Sequence, residues 1–370
     1  MPGPGNKQKK KKGKTTAQLG SLFMGLPREM RGEIYPHLFF STRLVWGERS
    51  LGRISRLRIT SAPNSLALLR TCRQIHAEIG TSWLQQVLFV FEDPNSMLDK
   101  LANIPSTTLA LIQHARISGD PLMLSWEDDD VYYRTSQALK LLPGLALDRL
   151  TVLGTRGPEV CYQTLDMLVR HGAGWKELYY LSHKSTFLGY KDNDNWFGLA
   201  GEESPYLRVP QPEGWQRALE ARDGATSGAS VTIYRAKAPS LPGAFLDPAR
   251  RAVFAQTLPP GCDVRTYATF EDAELMKDGE CEKEILVVVK RGRGVDYAEK
   301  KDSPYHSDGD IREAGLGKTW KQIKASLPRW DEDDDIFDQS DDEDETDPGV
   351  EEKYDSVDEY VWPPLHFSND

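Results

Sequence analysis

The side chains able to do chemistry in this chain are seven histidines, four cysteines and a large store of carboxylates, and their spacing brings few of them together. Cys262 and Cys281 stand 19 residues apart with His306 beyond them, and no C-x-x-C pair occurs, so the ligand spacing of a zinc site is missing. Cys72 and Cys161 fall on apolar helical faces and are expected in the core. His76, one turn after Cys72, and His171, beside Gly172, read as satisfied or capping histidines. No serine sits in the G-x-S-x-G turn of a nucleophile elbow. Gly315-Leu-Gly-Lys-Thr has the ending of a phosphate-binding loop. Arg312 stands where that loop needs glycine, however, and no strand leads into it, which leaves a helix start near Lys318. Lys290-Arg-Gly-Arg-Gly could meet phosphates or acidic peptides, solvate a strand end, or dock the chain's own acidic tail. No aromatic residues interleave with it as a base-stacking platform requires, so nucleic acid is not the expected partner. Carboxylates crowd only the C-terminal segment, where nothing would raise a pKa toward general-acid work. The chain is therefore expected not to be an enzyme, with no catalytic residues, no cofactor and no metal.

The elements available to position a site are plainer. Pro27 suits the first turn of a helix in which Leu26, Met30, Ile34 and Leu38 recur every four residues, and Pro36 is expected to limit it. Residues 41–62 read as a hairpin or an extended connection. Over 64–83, Leu68, Cys72, Ile75, Ile79 and Trp83 form a core-facing helical stripe. Val87–Phe91 is strand-like, and a helix follows from Pro94. Strands are then expected near 112–117, 150–153 and 178–181. Helices over 131–142 and 158–170 separate them, the second closed by Gly172. This spacing fits stacked βα units with parallel pairing and right-handed crossovers. Loops are expected at 191–213 and 238–248, a helix at 215–222 and a strand from Ser230. Ile285-Leu-Val-Val-Val reads as a central strand covered on both faces. A polar linker near 296–310 leads to a last helix with Trp320, Ile323 and Leu327.

Charge is segregated along the 370 residues, and the formal net charge of −10 conceals this. Residues 1–20 carry six lysines and no acid, while residues 331–370 carry 18 acidic residues against Lys353 alone. The remainder holds 46 − 7 = 39 basic and 56 − 18 = 38 acidic residues, so the acidic balance belongs to one end. Both ends are expected to be disordered, because like charges repel and bury little apolar surface. Lys9, Lys10, Lys11 and Lys12 have the size and charge of a nuclear-import patch, with a plain solvated arm as the alternative. The acidic segment mixes carboxylates with Tyr354, Tyr360 and Trp362, a composition suited to basic partners, with a solubilising tail as the alternative. No apolar run is long enough to span a membrane, no h-region marks a secretory signal, and four cysteines do not make a disulfide framework. A nuclear or cytoplasmic protein with no membrane partner is expected.

Residues 22–38, Leu-Phe-Met-Gly-Leu-Pro-Arg-Glu-Met-Arg-Gly-Glu-Ile-Tyr-Pro-His-Leu, are similar to the opening of an F-box. Leu66-Ala-Leu-Leu-Arg-Thr-Cys-Arg-Gln-Ile-His-Ala-Glu-Ile resembles a helix of a large family of fungal F-box-like proteins. Phrases such as Gly174-Trp-Lys-Glu-Leu and Leu286-Val-Val-Val-Lys-Arg-Gly-Arg-Gly look like the same type of protein. Patterning and resemblance together give the expected α+β chain: a basic arm over 1–20, an F-box-like helical module over 21–120, and an α/β domain continuous with it over 121–330. That domain would hold irregular βα units, leucine-rich-repeat-like or in a mixed sheet, and an acidic tail would fill 331–370. The resemblance implies docking on the Skp-type adaptor of a cullin ubiquitin ligase, with Leu26, Pro27, Ile34 and Leu38 at the apolar contact positions. The alternative is a nuclear protein that binds histone-like or RNA-associated basic partners through its acidic tail. The two differ at one feature: exposure of Leu26 and Ile34 favours the first, and burial by residues beyond 64 favours the second.

Overall fold

The computed structural model describes residues 21–50, 56–60, 66–125, 130–189, 211–238, 246, 248–257, 277, 279–304, 309–315 and 317–327. Helix α1 (Arg28–Phe40) starts behind Pro27 and runs through Pro36 instead of ending there. Proline removes one hydrogen bond to the turn before it, and the buried side chains of Tyr35 and Phe39 on either side hold that turn in place. Strands β1 (Arg43–Ser50) and β2 (Arg56–Thr60) pair antiparallel, as the expected hairpin. The single helix expected over 64–83 is broken into α2 (Arg73–Ile79) between two 3-10 turns, Ala67–Arg70 and Ser82–Gln85. Cys72 is the reason: as N-cap of α2 its Sγ accepts the Ile75 amide, so it lies exposed at a helix start and not in the core.

Strand β3 (Leu88–Phe91) leads to α3 (Pro94–Leu101), whose N-cap Asp93 accepts the Ser96 amide at 2.7 Å. Then follow α4 (Ser106–Leu109), β4 (His114–Ser118) and a hairpin of β5 (Leu122–Ser125) with β6 (Asp130–Tyr133), which forms a separate two-stranded sheet. The helix expected over 131–142 is therefore only α5 (Thr135–Leu139). Its first residues, Val131-Tyr-Tyr, follow their β-branched and aromatic preference into β6. Beyond lie β7 (Leu147–Gly154), α6 (Pro158–His171), β8 (Trp175–Ser182), α7 (Thr186–Gly189), α8 (Glu213–Asp223) and β9 (Ser230–Ala236). The last described elements are α9 (Pro248–Phe254), β10 (Ala255–Thr257), β11 (Ile285–Lys290), α10 (Ile311–Ala314) and α11 (Trp320–Ser326). Gly172 closes α6 at φ −66°, without the left-handed turn expected of it. Glycine is needed there because a Cβ would stand 2.6 Å from the Leu168 carbonyl. Most of the expected loops at 191–213 and 238–248 lie outside the described residues.

Among the described residues nine strands form one sheet in the order β10-β9-β11-β8-β7-β4-β3-β1-β2. The middle five, β1, β3, β4, β7 and β8, are parallel and lie side by side in chain order. Beyond β8 the pairing turns antiparallel through β11, β9 and β10, and β2 closes the other end antiparallel. The fold is mixed α/β, with expected parallel units at its centre and antiparallel pairs at both ends. The sheet passes through residue 121 without a break, so the segments 21–120 and 121–330 share it.

Successive parallel strands each moved one place in the same direction put their crossover helices on one face. Phe89, Phe91, Ala115, Ile117, Leu150, Val152, Leu178 and Tyr180 point to that face and join Met97, Leu98, Leu165, Leu168, Trp215, Trp320 and Ile323 in one core. Each such side chain, fully buried, is worth roughly 1.5–3 kcal/mol of transfer free energy. A smaller cluster on the opposite face joins Leu153, Tyr179, Leu181, Leu286 and Val288 to Phe254 of α9. Strand β11 is therefore covered on both faces, as its unbroken apolar run requires.

The described part of the expected polar linker, residues 296–304 and 309–310, is tied to the start of the parallel strands. Glu299 is 1% exposed and meets Lys140 at 3.5 Å, while its backbone exchanges hydrogen bonds with Gly144 and Leu145. The Gln137 side chain donates to the Gly309 carbonyl at 2.6 Å. Burial pulls the Lys140 ammonium below its usual range, against the opposing pull of Glu299.

Candidate docking surface on the first helix

Helix α1 packs on α2 through a polar lock. Arg31 and Tyr35 lie on one side of α1, one turn apart, and both reach Glu78 of α2. Arg31 Nε donates to Glu78 Oε2 at 3.0 Å, its Nη2 donates to Oε1, and the Tyr35 hydroxyl donates to Oε2 at 2.7 Å. The remaining Arg31 nitrogen donates to the carbonyls of Leu26 and Met24, which draws residues 21–27 back over the helix start. Gln74 donates to Glu78 as well, at 3.0 Å. These donors, Arg31 first, pull the Glu78 carboxyl down to about 2. Burial, then the bond to Glu78, pushes the Tyr35 phenol above its ordinary value. Phe23 meets the Tyr35 ring edge-on, with ring centres 6.0 Å apart, and Phe39 completes the inward face.

This lock turns the apolar stripe outward. Met30 is 52% exposed, Ile34 40% and Leu38 40%, a row at i, i+4 and i+8 about 12 Å long. Pro27 is exposed, Leu26 is half-buried and Leu22, at 93%, stands free of the body. Four of the seven most exposed large apolar side chains among the described residues belong to this one segment, so the exposure is concentrated and not scattered. Of the sequence-derived contact positions, the structure brings Ile34 and Leu38 together on the outward face, with Pro27 exposed at its start and Leu26 half-buried. Met30 completes the row. Lys9, Lys10, Lys11 and Lys12 lie outside the described residues.

The other candidate sites resolve differently. Arg291, in the basic run after β11, is buried and makes a two-pronged pair with Asp223, with bonds of 2.7–3.0 Å. It also lies 5.5 Å from the Trp175 ring centre. Its charge is spent inside the protein, which overturns the reading of this arginine as a solvated or phosphate-facing group. Thr319 is the N-cap of α11 with Gln322 reaching back to it, so the phosphate-loop-like run is a helix start. Cys161 is buried as expected, Cys281 is half-buried, and Cys262 and His306 lie outside the described residues. Among the described residues no group of three or more His, Cys, Asp or Glu could hold a metal ion. A cavity of about 350 Å³ between α3 and α11 is lined by Asp99, Asn103, Trp320 and Lys324. Its carboxylate is engaged by Trp320 Nε1 at 2.7 Å and by Lys324 at 3.0 Å. Among the described residues no helix is long and apolar enough to cross a membrane.

Comparison with protein-family models, with curated proteins and with solved structures finds no match for this chain.

Proposed function

We propose that this chain is a non-enzymatic protein-interaction protein that docks the Skp-type adaptor of a cullin ubiquitin ligase through the outward face of α1. The observation that carries this reading is the outward turn of Met30, Ile34 and Leu38. An amphipathic helix normally spends its apolar stripe on its own core. Here the core side of α1 is made of Arg31, Tyr35 and Phe39, and the stripe is left to meet a partner. An i, i+4, i+8 row of this length suits a hydrophobic groove on another protein. The F-box likeness at residues 22–38 names the class of partner, and the sheet body behind α1 is where a substrate would be held.

The test is co-purification of the full chain with the Skp-type adaptor, beside the variant Ile34→Asp/Leu38→Asp. Both positions are exposed, so the variant is expected to give an unchanged circular dichroism spectrum. Binding by wild type and loss in the variant is the expected outcome. Binding by both, or by neither, would remove the reading.

A further inference from the structure

The cleft between α3 and α11 holds about 350 Å³, at the lower end of the roughly 300–1,000 Å³ common for small-ligand sites. Trp320, 3% exposed, forms one wall, and Ala325 and the half-buried Leu327 continue the apolar lining. Asp99 supplies the one carboxylate of this lining, and its oxygens are already served. Trp320 Nε1 donates to Oδ1 at 2.7 Å, and Lys324 Nζ donates to Oδ2 at 3.0 Å and to Oδ1 at 3.2 Å. Lys324 also donates to Asn95 Oδ1 at 3.3 Å, so its three ammonium hydrogens are spent. Lys321 and Asn103 differ from it. Both are exposed and line the cleft, and neither side chain has a hydrogen-bond or ion-pair partner among the described residues.

We propose that this cleft binds a small carboxylic acid, its carboxylate on Lys321 and Asn103 and its apolar group against Trp320 and Leu327. Two lysines against one carboxylate leave the lining positive, which selects an anion over a cation. Hydrogen-bond capacity points the same way. The unused donors are the Lys321 ammonium and the Asn103 amide, while the acceptor that a cation would need, Asp99, is taken. A carboxylate has two oxygens and can accept from both donors at once. The apolar lining sets the rest of the ligand. An inorganic anion would leave Trp320 and Leu327 facing water, whereas an aromatic or branched aliphatic group removes that surface from it. The bond from Trp320 to Asp99 already fixes the indole wall, so little ordering is needed on binding. This inference is independent of the adaptor reading, since α1 takes no part in it.

N-acetyl-L-phenylalanine is the probe, and N-acetyl-L-phenylalanine amide is its uncharged counterpart. Nuclear magnetic resonance of the full-length protein reads the indole N–H of Trp320, one of nine tryptophans, assigned by its displacement in Asp99→Asn. The acid should move this resonance and saturate on the order of millimolar, as suits a ligand of this size. The amide should bind about fivefold more weakly, the scale of one exposed charge contact. Lys321→Gln should bring the acid down to the level of the amide. Because Lys321 has no partner among the described residues, this variant should keep the wild-type circular dichroism spectrum. Ala325→Trp, which fills the cleft from an exposed position, should abolish both responses. The comparison of acid with amide uses the unaltered chain and stands whatever the variants do. Equal binding of acid and amide would overturn the proposal. So would an acid response unchanged in Lys321→Gln, or a Trp320 resonance that stays still on the order of ten millimolar acid.

Discussion

Ile34 and Tyr35 are neighbours in sequence and face opposite sides of α1, the first 40% exposed and the second 7%. The contrast follows from one partner. Glu78 gathers Arg31 and Tyr35 on the inner side, and the four-residue apolar repeat is left on the outer side.

The two sides of α1 should therefore separate stability from binding. Ile34→Asp and Leu38→Asp should change unfolding free energy by no more than about 0.5 kcal/mol, as exposed substitutions do. Phe39→Ala, at a position with no exposure, should cost about 3–5 kcal/mol. Urea titration of the three variants measures both. A large loss at Ile34 would mean that the stripe is packed in solution.

The lock at Glu78 should make the protein acid-sensitive in a defined window. Its carboxyl is held at about 2, against 4.5 in an unfolded chain, so the unfolded state binds the proton first as pH falls. The contribution is complete above about pH 4.5 and is lost progressively toward pH 2. Glu78→Gln should flatten that part of the stability–pH curve relative to wild type. Overlapping curves would show that the lock carries no pH dependence.

His114 acts in a different range. Its imidazole is held at about 3 by burial and by Arg149, while an unfolded histidine titrates near 6.5. Between those values the unfolded state binds more protons, so stability falls as pH drops below about 6.5 and the loss is complete near pH 3. His114→Gln cannot take up the proton. The difference between its urea midpoint and that of wild type should drift across pH 6.5 to 4, and a constant difference would refute the assignment.

The pair Arg291–Asp223 has side chains 4% and 0% exposed. Removing one partner leaves a buried charge behind, so Asp223→Asn or Arg291→Met should cost about 3–5 kcal/mol. The double replacement Arg291→Met/Asp223→Leu should recover part of that loss, because neither charge remains. Thermal unfolding of the three variants checks it, and a double variant as unstable as the sum of the singles would count against the account.

Much of the sheet was legible because its strands carry their own pattern. Val87–Phe91 and Ile285–Val289 are apolar without interruption, and each is a strand buried in the sheet. Crossover lengths between 112 and 181 anticipated parallel pairing, which β4, β7 and β8 adopt. What sequence periodicity misplaced were positions decided by tertiary partners. Cys72 fits a helical stripe, yet it caps α2. Glu299 and Asp310 read as linker residues, yet they are 1% and 2% exposed because Lys140 and Arg312 meet them. In α1 the apolar repeat marked the right residues and left their side undecided, since Glu78 lies 43 residues beyond Tyr35.

Strand order also bears on synthesis. The parallel strands β1, β3, β4, β7 and β8 can assemble in the order in which they leave the ribosome, each beside the previous parallel strand. Strand β9 cannot, because β11 separates it from β8. From residue 236 to residue 290 the growing chain holds β9 without its inner neighbour and β8 with an open edge. At 5–20 residues per second that interval lasts roughly 3–11 s. The chain thus passes through an aggregation-exposed interval during synthesis, and arrival of Ile285–Lys290 ends it by joining both halves of the sheet.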